Sequence, residues 1–272
     1  MVNRKKMAMH LPKSYKGAYP FKLATTSFIY QDGYVPNVKM LGPYMDEIEL
    51  LLFESKPGSL PEKTEIDALS LLSKEFDLTY NIHLPTDISF GDMDPSVRQH
   101  AVETILHVFD LASPLFPSTC TLHLPYDEAS RKKENVERWQ ELTYETIKQL
   151  INFGVKAEEI SIENLNYPFK WVEEIVQDFK FTICMDIGHL IVCGVDIKTF
   201  FDSYCENISI MHLHGIENGY DHKSLNKLSE DRLVEIIEIL KKFKKTVSIE
   251  IFSYDDLTTS LQFLEKIFTK PN

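Results

Sequence analysis

Two stretches, IHLPTD (82–87) and LHLPYD (122–127), each close an apolar run on a histidine followed by Leu-Pro, and His83 and His123 lie forty residues apart. Forty residues further on, SIENL carries Glu163. Asp186 and His189 follow in MDIGHL, His212 and His214 in MHLHG, and Glu250 in SIEIF. Imidazoles and carboxylates together are the usual protein ligands of divalent cations. Burying that many ionisable groups about one axis is costly unless something neutralises them. A bound cation accounts for the whole set at once, so a metal centre is the chemistry these residue types point to.

The elements that must present these residues are short runs rich in β-branched and aromatic side chains. Eight are expected to be strands: 22–29, 47–53, 78–84, 118–124, 159–165, 181–187, 208–214 and 246–252. Residues two apart share a face of a strand, so His83, His123, Glu163, Asp186, His212 and Glu250 all end the polar face of their runs. Amphipathic segments lie between. Residues 95–112 show apolar spacings of three and four, 134–154 stops at Gly154 as a C-cap, and 231–245 ends in four lysines that suit the negative end of a helix dipole. Strand-helix alternation repeated eight times predicts an α/β fold, a single (β/α)8 TIM barrel with active-site residues at the C-terminal strand ends. A doubly wound sheet would usually show a Gly-rich phosphate turn after the first strand, and TTSFIYQDGY has none. The expected organisation is a basic N-terminal extension over 1–20 and one barrel domain over 21–272.

Taken singly, a strand-end histidine or glutamate is more often a satisfied core residue than a ligand. Six in register are not explained that way. His100 and His107, seven apart on one helix, read as surface residues, and His10 belongs to the extension. Past the strand ends, His189 is a further ligand candidate, with Gly188 letting the chain turn close to the site. Asp221 and His222 in GYDHKSL are placed in the loop after the seventh strand. His214, Asn164 and Glu54 are expected to line the substrate pocket, although Glu54 could equally cap its loop.

With 272 residues, 43% of them hydrophobic, the chain has enough material for a sizeable core, and its formal charge of -12 argues against a protein that neutralises nucleic-acid backbones. The four cysteines form no CxxC pair and suit reduced thiols. Residues 1–20 hold five basic and no acidic residues but no apolar signal-peptide core, and no run approaches a membrane helix. The expectation is a cytoplasmic protein with no membrane contact and a poorly ordered polar extension.

The phrases NIHLP, TLHLP, SIENL, MDIGH, MHLHG and SIEIF, spread over nearly the whole chain, resemble the xylose-isomerase-like TIM barrels, which include endonuclease-IV-type repair enzymes and sugar epimerases. The repair-nuclease pattern implies three zinc ions. Carried over, His83, His123 and Glu163 look like one position, and Glu163, Asp186, His212 and Glu250 like a second. His189, Asp221 and His222 approximate a third, with one departure: the family separates its last Asp and His by one residue, whereas here they are adjacent. More narrowly, TTSFIYQDGYVPNV, DEIELLLFES, SIENLNY, HLHGIENGYDH and SIEIFS resemble the cobamide-remodelling phosphodiesterases, which cleave the nucleotide loop of corrinoids during salvage.

These resemblances imply a metal-dependent hydrolase acting on a small-molecule phosphodiester, a cobamide favoured. They imply two or three divalent ions, zinc first and manganese second, with Glu163 and Glu250 as the catalytic carboxylates. The rival is a sugar isomerase or epimerase holding one ion on Glu163, Asp186, His212 and Glu250 and moving protons beside a carbonyl. An abasic-site endonuclease and a non-catalytic corrinoid-binding barrel are the remaining alternatives.

Overall fold

A computed structural model describes residues 10–56, 58–126 and 130–269; residues 1–9 of the basic extension and Asp127 of LHLPYD lie outside them. Eight parallel strands close into a barrel. In chain order they are β1 (Lys22–Thr26), β2 (Glu47–Leu51), β3 (Thr79–His83), β4 (Cys120–Leu122), β5 (Ile160–Glu163), β6 (Thr182–Asp186) and β7 (Ile208–Leu213), then β10 (Thr246–Ile249) after a two-stranded antiparallel ribbon, β8 (Gly215–Glu217) and β9 (Tyr220–Lys223). The barrel is joined through β1 and β10, which pair in parallel from Lys22 against Thr246 to Thr25 against Ile249.

The outer ring comprises α1 (Tyr34–Leu41), α2 (Lys63–Phe76), α3 (Pro95–Ala112), α4 (Lys133–Asn152), α5 (Glu173–Phe179), α6 (Ile187–Val192), α7 (Ile197–Tyr204), α8 (Glu230–Lys242) and α9 (Tyr254–Thr269). Local signals set several boundaries. Asp94 caps α3 by accepting from the Ser96 amide at 2.8 Å, with Pro95 at the first helical position. Gly154, at φ +97°, takes the left-handed position just past α4. The α8 boundary differs from expectation. The helix ends at Lys242 and Phe243 turns extended and buries. Lys244 and Lys245 therefore lie beyond it, where the Lys245 ammonium donates to the Ile208 carbonyl at 2.6 Å.

The strand alternation separates two interiors. Ile48, Ile82, Ile162, Met185, Met211, Val247 and Ile249 are fully buried between the barrel and its helices. The inward face is polar along much of its depth. Low in the barrel, Glu47 accepts hydrogen bonds from Thr79, Asn81 and Ser118 at 2.5, 2.8 and 2.8 Å. Thr119, Ser161, Thr182 and Ser209 join hydroxyl to hydroxyl. That lining pairs most of its own polar atoms, Asn81 Oδ1 and Thr121 Oγ1 apart, and supports the ionisable layer above it.

Residues 10–20 correct the expectation of a free polar tail. Leu11 and Tyr15 are buried in the core cluster, Tyr254 donates its hydroxyl to the His10 carbonyl at 2.8 Å, and Lys13 pairs with Glu265. An apolar residue every few positions between the lysines, not the charge balance, decides the placement. His100 and His107 are exposed on α3, as expected.

Candidate metal centre

The C-terminal ends of β3 to β7 and β10 bring the expected side chains to one place. Glu163, 1% exposed at the end of β5, is the hub. Its Oε2 lies 3.0 Å from His123 Nε2, and 3.5 Å from both His83 Nε2 and His212 Nδ1. Its Oε1 lies 3.1 Å from His189 Nδ1. One carboxylate thus faces ligand atoms on two sides, as a bridging carboxylate would. His83 has a fixed tautomer, because Nδ1 donates to the Leu84 carbonyl at 3.0 Å and leaves Nε2 to face Glu163. The proline after Leu84 ends the strand just beyond that contact.

Asp186 and His212, paired across β6 and β7, form the next set with Glu250. His212 Nδ1 is 3.1 Å from Glu250 Oε2 and 3.9 Å from Asp186 Oδ2. Behind it, His212 Nε2 lies 2.9 Å from Glu49 Oε1, off the line of a hydrogen bond, so the contact is electrostatic. Ser248 donates to the other Glu49 oxygen at 2.5 Å. Asp186 Oδ1 caps α6 by accepting from the His189 amide at 2.6 Å, which also fixes where His189 stands.

Asp221 and His222 reach the group from the connection after the seventh strand, as expected, and that connection is built as a hairpin. Asn218 and Gly219, at φ +55° and +81°, make the tight turn between β8 and β9, and both central residues at positive φ are the mark of a type I′ turn. Neighbours on a strand normally point to opposite faces. Here His222 adopts φ +52°, which breaks the alternation and lets its Nδ1 sit 2.9 Å from Asp221 Oδ1. Its Nε2 is 3.5 Å from Glu250 Oε2, while Asp221 Oδ2 is 3.8 Å from His189 Nε2. The adjacent Asp-His pair therefore reaches both His189 and Glu250.

Among the described residues, four overlapping triplets keep their ligand atoms within 4.8 Å of one another: His83–Glu163–His212, Asp186–His212–Glu250, Glu163–Asp186–His189 and His214–His222–Glu250. The fit to a cation rests on orphaned atoms. His212 Nδ1 and Glu250 Oε2 are buried, 3.1 Å apart, and form no hydrogen bond, an unsatisfied pair that a bound cation would complete.

Charge is compensated internally. Burial pushes the Glu163 carboxyl up, but His123 and His212 beside it hold it well below the usual range. Asp186 is lowered by His214 and His189, and Glu250 by His212 and His222, each against burial. Burial depresses His189 and His222, yet Asp186 and Glu163 raise the first to about 11 and Glu250 and Asp221 the second to about 9. His83 and His212 are raised likewise. Protons thus supply the positive charge that an ion would bring.

Asn164 and His214, expected to line the substrate pocket, are buried against Asp186. Asn164 is 2% exposed and spends its amide on the Asp186 backbone, donating to the carbonyl at 2.9 Å and accepting from the amide at 2.8 Å. His214 is fully buried behind Asp186: Nε2 lies 3.1 Å from Asp186 Oδ2 and Nδ1 accepts from the His222 amide at 3.0 Å. Both side chains are spent on Asp186. Gly188 lets the chain turn close to the site, as expected: a Cβ there would lie 2.0 Å from the His214 ring. Glu54 is exposed at the mouth, where Ser59 donates to it at 3.1 Å.

Sequence reasoning missed Glu49, hidden in the apolar-looking EIELLLF; its two-residue spacing from Glu47 was the available signal. It also missed Phe53 and Phe252, whose rings pack 4.7 Å from His83 and 5.0 Å from His222.

Comparison with known proteins fits this architecture. A D-tagatose 3-epimerase-like protein superimposes at a TM-score of 0.76 and 21% identity, over 91% of this chain and 97% of its own. Endonuclease IV from Thermus thermophilus gives 0.65 and 16%, over 90% and 99%. D-psicose 3-epimerase from Clostridium cellulolyticum gives 0.69 and 14%, over 90% and 99%. At these identities the likeness is one of fold. No curated protein matches the sequence. Among the described residues no helix is long and apolar enough to cross a membrane. The family model described as xylose isomerase-like TIM barrel matches residues 37–267, most of the chain, and the protein belongs to that family.

Proposed function

We propose that the protein is a metal-dependent hydrolase that cleaves a phosphodiester, with the nucleotide loop of a cobamide as the favoured substrate. The observation that carries this reading is Glu163, whose two oxygens face different ligand sets. Glu163, Asp186, His212 and Glu250 would satisfy one ion. His83 and His123, 3.5 and 3.0 Å from Glu163 Oε2, go beyond that need, and so do His189, Asp221 and His222. The reading calls for two or three ions, zinc first and manganese second, with Glu163 among the residues that would hold more than one of them. Bound divalent ions would polarise the phosphoryl group and activate water near neutral pH.

The chain's own groups do the rest. Glu163 and Glu250 stay ionised, so they serve as anionic ligands and proton acceptors and not as acids. Glu49 and His214 hold His212 and Asp186 in place. The net charge of -12 favours a small diester over duplex nucleic acid. The cobamide assignment rests on the sequence phrases around the strand ends. Its test is incubation of metal-loaded protein with a cobamide and mass spectrometry for loss of the nucleotide loop; an unaltered cobamide at full metal loading would refute it.

A second reading, a one-metal sugar epimerase, draws on the D-tagatose 3-epimerase-like structure at TM-score 0.76 and on the same four-residue set. It predicts a single ion and exchange of a carbon-bound proton in a ketose.

A further inference from the structure

The barrel mouth is unequal on the two sides of the metal centre. Beside the ends of β4 to β6, a cavity of about 370 Å³ is lined by His123, His189, Asp221, Tyr126 and Asn166. Beside the ends of β1, β2 and β10, on the opposite arc of the barrel, a cavity of about 540 Å³ is walled by Phe28, Tyr34, Phe53 and Phe252, with Glu54 and Ser59 at its rim. The first has a mixed lining, with Pro125, Leu165 and Val192 beside its polar groups, and it reaches His123, His189 and Asp221 directly. The second is aromatic, and it is continuous with the site because Phe53 and Phe252 pack on His83 and His222.

Several features suit the aromatic cavity to a flat ring. Phe53 and Phe252 stand at 80° to each other with centroids 6.4 Å apart, so a face and an edge are both on offer. Tyr34 has committed its hydroxyl to the Leu51 and Ser59 carbonyls, each at 3.1 Å, and presents only its ring. Phe28 and Phe252 remain 55% and 40% exposed, apolar surface open to water beside a charged centre. The Glu54 carboxylate repels a second anion. Its loop is pinned where Asp87 accepts from the Ser55 amide at 2.9 Å. The volume lies in the range of small-ligand pockets.

We infer that the Phe28–Phe53–Phe252 cavity is the subsite for a flat aromatic arm of the substrate that carries no negative charge, joined through the phosphate that the metal centre holds. This rests on the phosphodiesterase reading. A diester has two arms, and the two unlike cavities would take one each.

Calorimetric titration of the metal-loaded full chain with inorganic phosphate, methyl phosphate and 1-naphthyl phosphate tests it. Naphthyl phosphate should bind about tenfold or more tightly than methyl phosphate, since stacking on aromatic side chains does not depend on the identity of the ring. Phe28→Ala and, separately, Phe252→Leu should lose most of that preference at unchanged metal content. If inorganic phosphate binds but the aryl preference is missing, the subsite is wrong and the phosphodiesterase reading stands. A preference that survives in both variants also overturns the subsite. If no phosphate binds at full metal loading, the underlying reading fails and the subsite falls with it.

Discussion

At Glu163 a single carboxylate is approached by four imidazoles, three at Oε2 and one at Oε1. Replacing it by glutamine keeps the volume and removes the charge that the surrounding groups answer. Glu163→Gln is expected to weaken metal retention by more than the roughly 10–100-fold typical of an outer-shell change and to abolish turnover, with circular dichroism unchanged. Full activity in that variant would sink the site assignment. Glu49→Gln, behind His212, should show the outer-shell figure itself, roughly 10–100-fold in metal affinity, read by competition with a chromogenic chelator. Gly188→Ala forces a methyl group onto the His214 ring and should cost about 1–3 kcal/mol in urea unfolding. The sequence made His83, His123, Glu163, Asp186, His212 and Glu250 legible because strand alternation alone puts them on one face. It did not reveal Glu49, because a buried carboxylate inside a run of leucines looks like a surface residue until its partner Ser248 is known. Nor did it reveal that Asn164 and His214 face Asp186, which depends on contacts across strands.

Among the elements, the eight barrel strands and the helix over Pro95–Ala112 were readable from period and composition. The β8–β9 hairpin was passed over, although Asn218-Gly219 is a strong short-range hairpin signal, because its flanking residues are too polar to look like strands. The hairpin carries Asp221 and His222 outside the closed sheet. Gly219→Val would force a β-branched residue to φ +81°, a conformation such residues avoid. It should loosen the hairpin, weaken the His189–Asp221–His222 position and leave barrel unfolding nearly unchanged. Metal analysis beside a thermal melt checks this, and a large fall in melting temperature with full metal content would contradict it.

For the whole molecule, metal binding and protonation compete. In the metal-free chain His189 and His222, at about 11 and about 9, carry protons at neutral pH. Ligands must deprotonate to coordinate, so binding should release protons and tighten as pH rises from roughly 6 to 9, measurable by titration in two buffers of different ionisation enthalpy. An affinity that falls over that interval would contradict the assignment of these imidazoles as ligands. Packing of residues 10–20 against the barrel was not legible, since Leu11 and Tyr15 stand among lysines that dominate the local charge. The central claim, a centre of more than one ion built on Glu163, is tested most directly by elemental analysis of the purified chain. Two or three ions per chain are expected, with His83→Ala and His123→Ala each losing one. A single ion, retained in both variants, would contradict the claim and point to the one-metal epimerase.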